Sequence, residues 1–144
     1  MLKVKLLVPT AKAPAVAHPG EDLGYDLFAA ADITIPARDH AIVSTGIAIE
    51  VSDEKGRAMG ALLRDKSSMA AKRLVLTGGV IDAGYRGEIR VLMENMGDWP
   101  VTIHAGDKIA NLIPYPVLTG EVVVVDDLAQ SKRMAGGFGS TGKN

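Results

Sequence analysis

The sequence predicts an all-β domain, a sandwich or barrel carrying one short helix. Short apolar stretches rich in Val and Ile recur between turn residues along most of the chain, which is the spacing of strands in all-β folds. Inside several of these stretches apolar and polar residues alternate, as on a pleated strand buried on one face. Only one segment has a helical character.

Taken in order, KVKLLV near the N-terminus reads as the first strand. In EDLGYDLFAA, Glu21 to Ala30, Asp26 lies between Tyr25 and Leu27. Such a carboxylate either faces solvent, the simpler reading in isolation, or meets a bound cation through water. DITIP and AIVSTGIAIEV follow as strands, with Ile47 and Ile49 on one side of the pleat. SSMAAKRL, Ser67 to Leu74, predicts a helix of about two turns, because hydroxyls able to cap an N-terminus precede good helix formers. Arg64 and Lys66 stand just ahead of it. Cation, hydroxyl and helix dipole together suit phosphate oxygens, although a capped helix beside solvated charges is the plainer alternative.

GGVIDAGYRGE, Gly78 to Glu88, pairs two glycines that let a backbone approach a flat ligand, with Asp82 three residues before Tyr85. A hairpin with a turn carboxylate accounts for it equally well. EIRVLMEN places Ile89, Val91 and Met93 on one side of a strand and Glu88 and Arg90 on the other. GDKIANL, Gly106 to Leu112, reads as a turn entering a strand, and EVVVV as the last strand. The end, GGFGSTGKN, spells most of a P-loop from Gly137 to Lys143, but Asn144 stands where Ser or Thr is required and no helix follows the Lys. The P-loop reading fails.

At 144 residues the chain fits one domain, long enough to bury roughly 68–70% of its unfolded surface. Sixteen basic against seventeen acidic residues, a formal net charge of -1, give no field for steering onto nucleic acid or an anionic membrane. The absence of cysteine removes disulfides, thiolate metal sites and cysteine nucleophiles, and fits a reducing compartment. MLKVKLLVPTAK has too short an apolar run for a signal peptide, and no segment approaches about 20 apolar residues. The expectation is a soluble, cytoplasmic protein with neither a nucleic-acid nor a membrane partner. His18, His40 and His104 lack the spacing of a zinc helix and read as surface or packing residues. No Gly-x-Ser-x-Gly elbow supports an acyl-transfer serine.

In chain order, GYDL, DKSSMA, GGVIDAGYRGEI, GDKIANL and RMAGGFGSTG resemble the five motifs of the homotrimeric dUTPase family, the deoxyuridine triphosphate nucleotidohydrolases. The resemblance runs from Gly24 to Gly142. It implies a jelly-roll-like β fold and a homotrimer with active sites at subunit interfaces. It also implies a β domain, residues 1–131, followed by a mobile Gly-rich lid, residues 132–144. The implied reaction is Mg²⁺-assisted hydrolysis of dUTP to dUMP and pyrophosphate, which limits uracil incorporation into DNA and supplies dUMP for dTMP synthesis.

Asp82 matches the family's general base; a carboxylate is ordinarily ionised at neutral pH and can take a proton from the water it positions. Asp26 matches the aspartate that reaches Mg²⁺ through water. The substrate contacts carried over are Lys66, Ser67 and Ser68, then Gly79, Ile81 and Tyr85, then Asn111, and finally Arg133, Phe138, Gly139, Ser140 and Thr141. Tyr85 would fill the space of a 2′-hydroxyl, the Gly78-Gly79 backbone would pair with the uracil edge, and Phe138 would stack on the base. Three positions depart from the family: Lys66 for arginine, Asn111 for glutamine and Met134 for glycine. Lys66 cannot make the planar grip of arginine, so that contact is expected to be either looser or redistributed to Arg64. Two rivals remain at this point. dCTP deaminase places its catalytic glutamate three residues before an asparagine, a position held here by Leu92 ahead of Asn95, and a nucleotide-binding regulator would keep the fold without the chemistry.

Overall fold

The computed structural model describes residues 1–131. Eleven strands and one helix follow the alternation of the sequence closely. They are β1 (Leu2–Leu6), β2 (Tyr25–Phe28), β3 (Ile33–Ile35), β4 (His40–Ser44), β5 (Ile47–Ser52), β6 (Ala58–Asp65), α1 (Ser67–Ala70), β7 (Leu74–Leu76), β8 (Val80–Ile81), β9 (Arg90–Asn95), β10 (Val101–Ile103) and β11 (Lys108–Pro116). One sheet runs β1-β5-β6-β11-β2 with β8 added alongside β6; β4-β9-β7 and β10-β3 form two smaller sheets. All ladders are antiparallel.

The core lies between these sheets, where Leu27, Ile47, Ile89, Val91, Met93, Ile109 and Leu112 are fully buried. β9 shows the cause most clearly: exposed and buried residues alternate strictly along it, so a pleat alone sorts Val91 and Met93 inward from Arg90 and Leu92 outward. Asn95 at its end is buried, yet its amide donates to the carbonyls of Ile35, Pro36 and Trp99 at 3.1, 3.0 and 2.8 Å. The polar cost of burial is thereby met. AIVSTGIAIEV divides between β4 and β5, which join different sheets. The Thr45 hydroxyl donates to the Ile89 carbonyl at the crossing.

Two expectations are corrected. The helix spans only Ser67–Ala70, and its N-cap, Lys66, makes no side-chain capping bond. Arg73 adopts a left-handed φ of 63°, and Leu74 then enters β7 fully buried. Pairing with β9 wins Leu74 from the helix because strand burial of a leucine outweighs a few tenths of a kcal/mol of helix propensity, about 1.5–3 kcal/mol in the other direction. With one turn of helix, the dipole part of the phosphate argument at Ser67 falls away. The EVVVV strand is also absent: residues 117–131 hold no strand, and Val122, Val123 and Val124 are 89%, 68% and 94% exposed. β-propensity needs a partner edge to act on, and within the described chain none is offered.

Candidate active site

Strand β6 organises the site. Its C-terminal end carries Arg64, Asp65 and the chain onward to Lys66, while its middle pairs with β8 through Ala61↔Ile81 and Leu62↔Val80. From residue 62 to residue 66 is about 13 Å of extended chain. Two groups of the expected residues gather at these two places.

At the first place, a cleft of about 550 Å³ is lined by Asp26, Arg64, Lys66, Lys108 and Asn111, with His18 and Asp22 at its side. Asn111 on β11 lies between Asp26 of β2 and Arg64 of β6 in register. Asp26 does not face solvent. Its side chain is 12% exposed, with Lys66 Nζ 2.5 Å from one carboxylate oxygen and Lys108 Nζ 2.7 Å from the other. Burial opposes its ionisation, but hydrogen bonds from Lys108 and Lys66, and then their charges, hold Asp26 below the usual carboxylate range. Lys108 was missed in the sequence, although it follows Gly106 and Asp107 at the entry to a strand whose next members were singled out. Ser67 and Ser68 are exposed beside Lys66. The Asp65 carboxylate accepts from the Leu76 amide at 2.7 Å, closing the loop that presents both hydroxyls.

At the second place, Gly79, Ile81, Asp82 and Tyr85 follow one another along β8 and the turn after it. The Gly78-Gly79 step carries the chain from the β7 sheet to the β6 sheet, with φ of 81° and 99°. A Cβ on Gly79 would sit 2.9 Å from the Leu63 carbonyl oxygen, and the Gly79 carbonyl accepts from the Leu63 amide at 2.7 Å. Only glycine meets both demands. The hairpin reading is corrected here: β8 pairs with β6 and β9 with β4 and β7, so no ladder joins the two arms of the turn. Among the described residues β8 thus keeps one unpaired edge of main-chain donors and acceptors. A cavity of about 200 Å³ opens there, bordered by Val80, Ile81, Asp82, Tyr85, Arg90 and Leu92. The Tyr85 hydroxyl donates to the Glu88 carbonyl at 3.1 Å, and its ring lies over Gly87, where a Cβ would approach the hydroxyl to 2.4 Å.

Arg133, Phe138, Gly139, Ser140 and Thr141 lie outside the described residues, as does Met134. The three histidines are exposed, each beside an aspartate. Among the described residues no three His, Cys, Asp or Glu side chains gather as a metal cage. The cleft still fits magnesium held outer-sphere: the Asp26 carboxylate in polar surroundings suits an ion that retains its waters and takes its remaining ligands from phosphates. Among the described residues no helix is long and apolar enough to cross a membrane.

A lysine-clamped carboxylate cleft at one end of a strand and an open backbone edge along its middle suit a ligand with phosphates and a flat ring, so fold and site define a nucleotide-binding β protein. The chain belongs to the dUTPase family, whose sequence profile matches residues 10–142. It is 41% identical over 145 residues to the deoxyuridine 5'-triphosphate nucleotidohydrolase of Clostridium tetani, covering 99% of this chain and 97% of the relative. The Arabidopsis thaliana protein of the same name is 39% identical, across 98% of this chain and 80% of its own. Among solved structures, the dUTPase of Staphylococcus bacteriophage 80alpha with dUpNHpp superposes with a TM-score of 0.89 at 28% identity, covering 99% of each chain. The D95N dUTPase of phage phi11 of S. aureus, described with a structural Mg(II) ion, superposes at 0.80 with 25% identity, over 90% of this chain and 99% of that one.

Proposed function

We propose that this chain hydrolyses dUTP to dUMP and pyrophosphate, as a homotrimer whose active sites form between subunits. The observation that carries the reading is the division of the site. The phosphate-side residues and the Asp82 turn occupy separate cavities on one chain, and each holds what the other lacks. Joining the cleft of one subunit to the turn of another completes a nucleotide site without rebuilding either. The exposed run Val122–Val125 supports assembly, since a contiguous apolar segment in water is ordinarily covered by a partner. The three sheets curl in the jelly-roll manner, and the lid expected over residues 132–144 lies outside the described residues.

The uracil edge meets the unpaired edge of β8. Main-chain N–H and C=O groups match the O4 and N3–H of uracil, whereas the amino group of cytosine would leave them unpaired. Tyr85, held by its hydroxyl and by Gly87, occupies the side of the sugar where a ribonucleotide carries its 2′-hydroxyl. Lys66, Arg64, Lys108 and the Ser67 and Ser68 hydroxyls receive the triphosphate, with Asn111 between them. Asp26 suits the water shell of a magnesium ion, which when bound offsets the charge of the triphosphate.

Asp82 is exposed at the start of its turn. It positions a water and takes its proton as the oxygen attacks the α-phosphorus; the bond from that phosphorus to the β-bridging oxygen breaks, and pyrophosphate leaves. Pyrophosphate release measured in parallel on dUTP, dTTP, dCTP and UTP tests the reading. Turnover of dUTP far above the rest is expected; ammonia release from dCTP would instead identify a deaminase, and binding without turnover a regulator.

A further inference from the structure

We propose that Arg86 is a positioning residue, which holds the Asp82–Tyr85 turn in its working geometry, and that Glu50 of β5 sets Arg86 in place. The inference rests on the roles given above to Asp82 and Tyr85. The turn itself is weakly made. One backbone bond closes it, from the Tyr85 amide to the Asp82 carbonyl at 3.0 Å, and Gly84 at its tip has no packing neighbour on its Cβ side. Asp82, Gly84, Tyr85 and Arg86 are all exposed. A turn with that little support frays on its own.

Arg86 supplies the missing constraint. Its Nη1 donates to the Ala83 carbonyl at 2.7 Å and to the Tyr85 carbonyl at 2.9 Å, so both hydrogens of one nitrogen span Gly84. The other terminal nitrogen, Nη2, lies 3.6 Å from a Glu50 carboxylate oxygen. The second oxygen of Glu50 accepts from Lys3 Nζ at 2.6 Å. Lys3 and Glu50 are register partners in the β1–β5 ladder, which makes the anchor part of the main sheet. A planar guanidinium can face a carboxylate with one nitrogen and bridge two carbonyls with another; an ammonium cannot hold that geometry. Tyr85 is then tied at both ends, by its own carbonyl to Arg86 and by its hydroxyl to Glu88.

These contacts are half in solvent, with Arg86 and Glu50 side chains 51% and 43% exposed, so they add little to global stability. Their consequence is geometric. Displacing a catalytic group by about 1 Å costs up to about a hundredfold in rate. The test compares Arg86→Gln, Arg86→Lys and Glu50→Gln with the parent on dUTP and UTP, with thermal unfolding measured alongside and Asp82→Asn as a control. For Arg86→Gln, kcat should fall about tenfold or more while KM for dUTP stays within about twofold, and the preference for dUTP over UTP should shrink about fivefold. Arg86→Lys should recover only part of kcat, and Glu50→Gln should move kcat and selectivity the same way by less. Intact kcat and selectivity in Arg86→Gln, with Asp82→Asn inactive, would overturn the proposal and leave the role of Asp82 standing. An active Asp82→Asn would instead remove the reading beneath it. Should Arg86→Gln not fold, Glu50→Gln decides: unchanged selectivity and kcat there overturn the proposal.

Discussion

Asp26 and Asp82 are both aspartates of the candidate site, and the molecule holds them by opposite means. Asp26, on β2, is nearly buried and clamped between two ammonium groups; its position is set by Lys66, at the N-cap of α1, and Lys108, at the start of β11. Asp82 is exposed, and among the described residues no group bonds its carboxylate. The backbone around it is held instead, by the Gly79–Leu63 contact, the Tyr85 amide and the Arg86 guanidinium. A carboxylate that meets a metal's water shell gains from having its charge satisfied before the ligand arrives, because the lysines can exchange one anion for another. A carboxylate that must take a proton gains from keeping its lone pairs free, so only its backbone can be fixed. On the roles proposed above, the difference separates binding from chemistry within one site.

The largest effect should come from Asp82→Asn. Turnover is expected to fall about 10²–10⁴-fold, while calorimetric affinity for a non-hydrolysable dUTP analogue changes within a few-fold; near-normal hydrolysis would erase the contrast with Asp26. Asp26→Asn should act the other way round. It leaves Lys66 and Lys108 facing one another without an anion, and with Lys108 half exposed the loss of folding stability is held by solvent to about 1–2 kcal/mol. Affinity for the magnesium–nucleotide complex should fall with it, in urea melts and calorimetry on the same variant. An Asp26→Asn chain as stable as the parent would mean the lysine clamp is ornamental.

The smallest and most selective effect is in acid. Because the folded chain holds Asp26 below the usual aspartate value of 3.8, the unfolded chain binds the proton first as pH falls. The stabilisation from the clamp is then fully present above that value and is lost as pH drops through the lowered one. The stability gap between the parent and Asp26→Asn should be flat from pH 7 to about 5 and close only in stronger acid. A gap that closes between pH 7 and 5 would show that another group sets it.

Much of the strand content was legible because alternation reports a half-buried pleat directly. β9 is the plainest case, and GDKIANL opened as a turn and became β11. The helix was legible in place and not in length, since its last residues have a better use in β7. EVVVV had every local mark of a strand and no edge to join. Within the site, Asp26, Lys66, Asn111, Asp82 and Tyr85 were named from their motifs, but spacing along the chain said nothing of the Asp26–Lys108 pair, whose members stand far apart in sequence and meet only because β2 and β11 are neighbours. Arg86 was hidden for a related reason: an arginine after a turn is ordinary until a glutamate from β5 faces it.

From its residues alone the protein was bound to be a small, strand-rich, cysteine-free domain with dUTPase motifs in order, because periodicity, composition and local turn chemistry are properties of neighbouring residues. Which carboxylate is clamped and which is left free, and that β8 keeps an open edge beside Tyr85, were decided only when the sheets assembled. Those features depend on groups from distant strands coming within hydrogen-bonding reach, and such proximity is a property of the fold and of no segment within it.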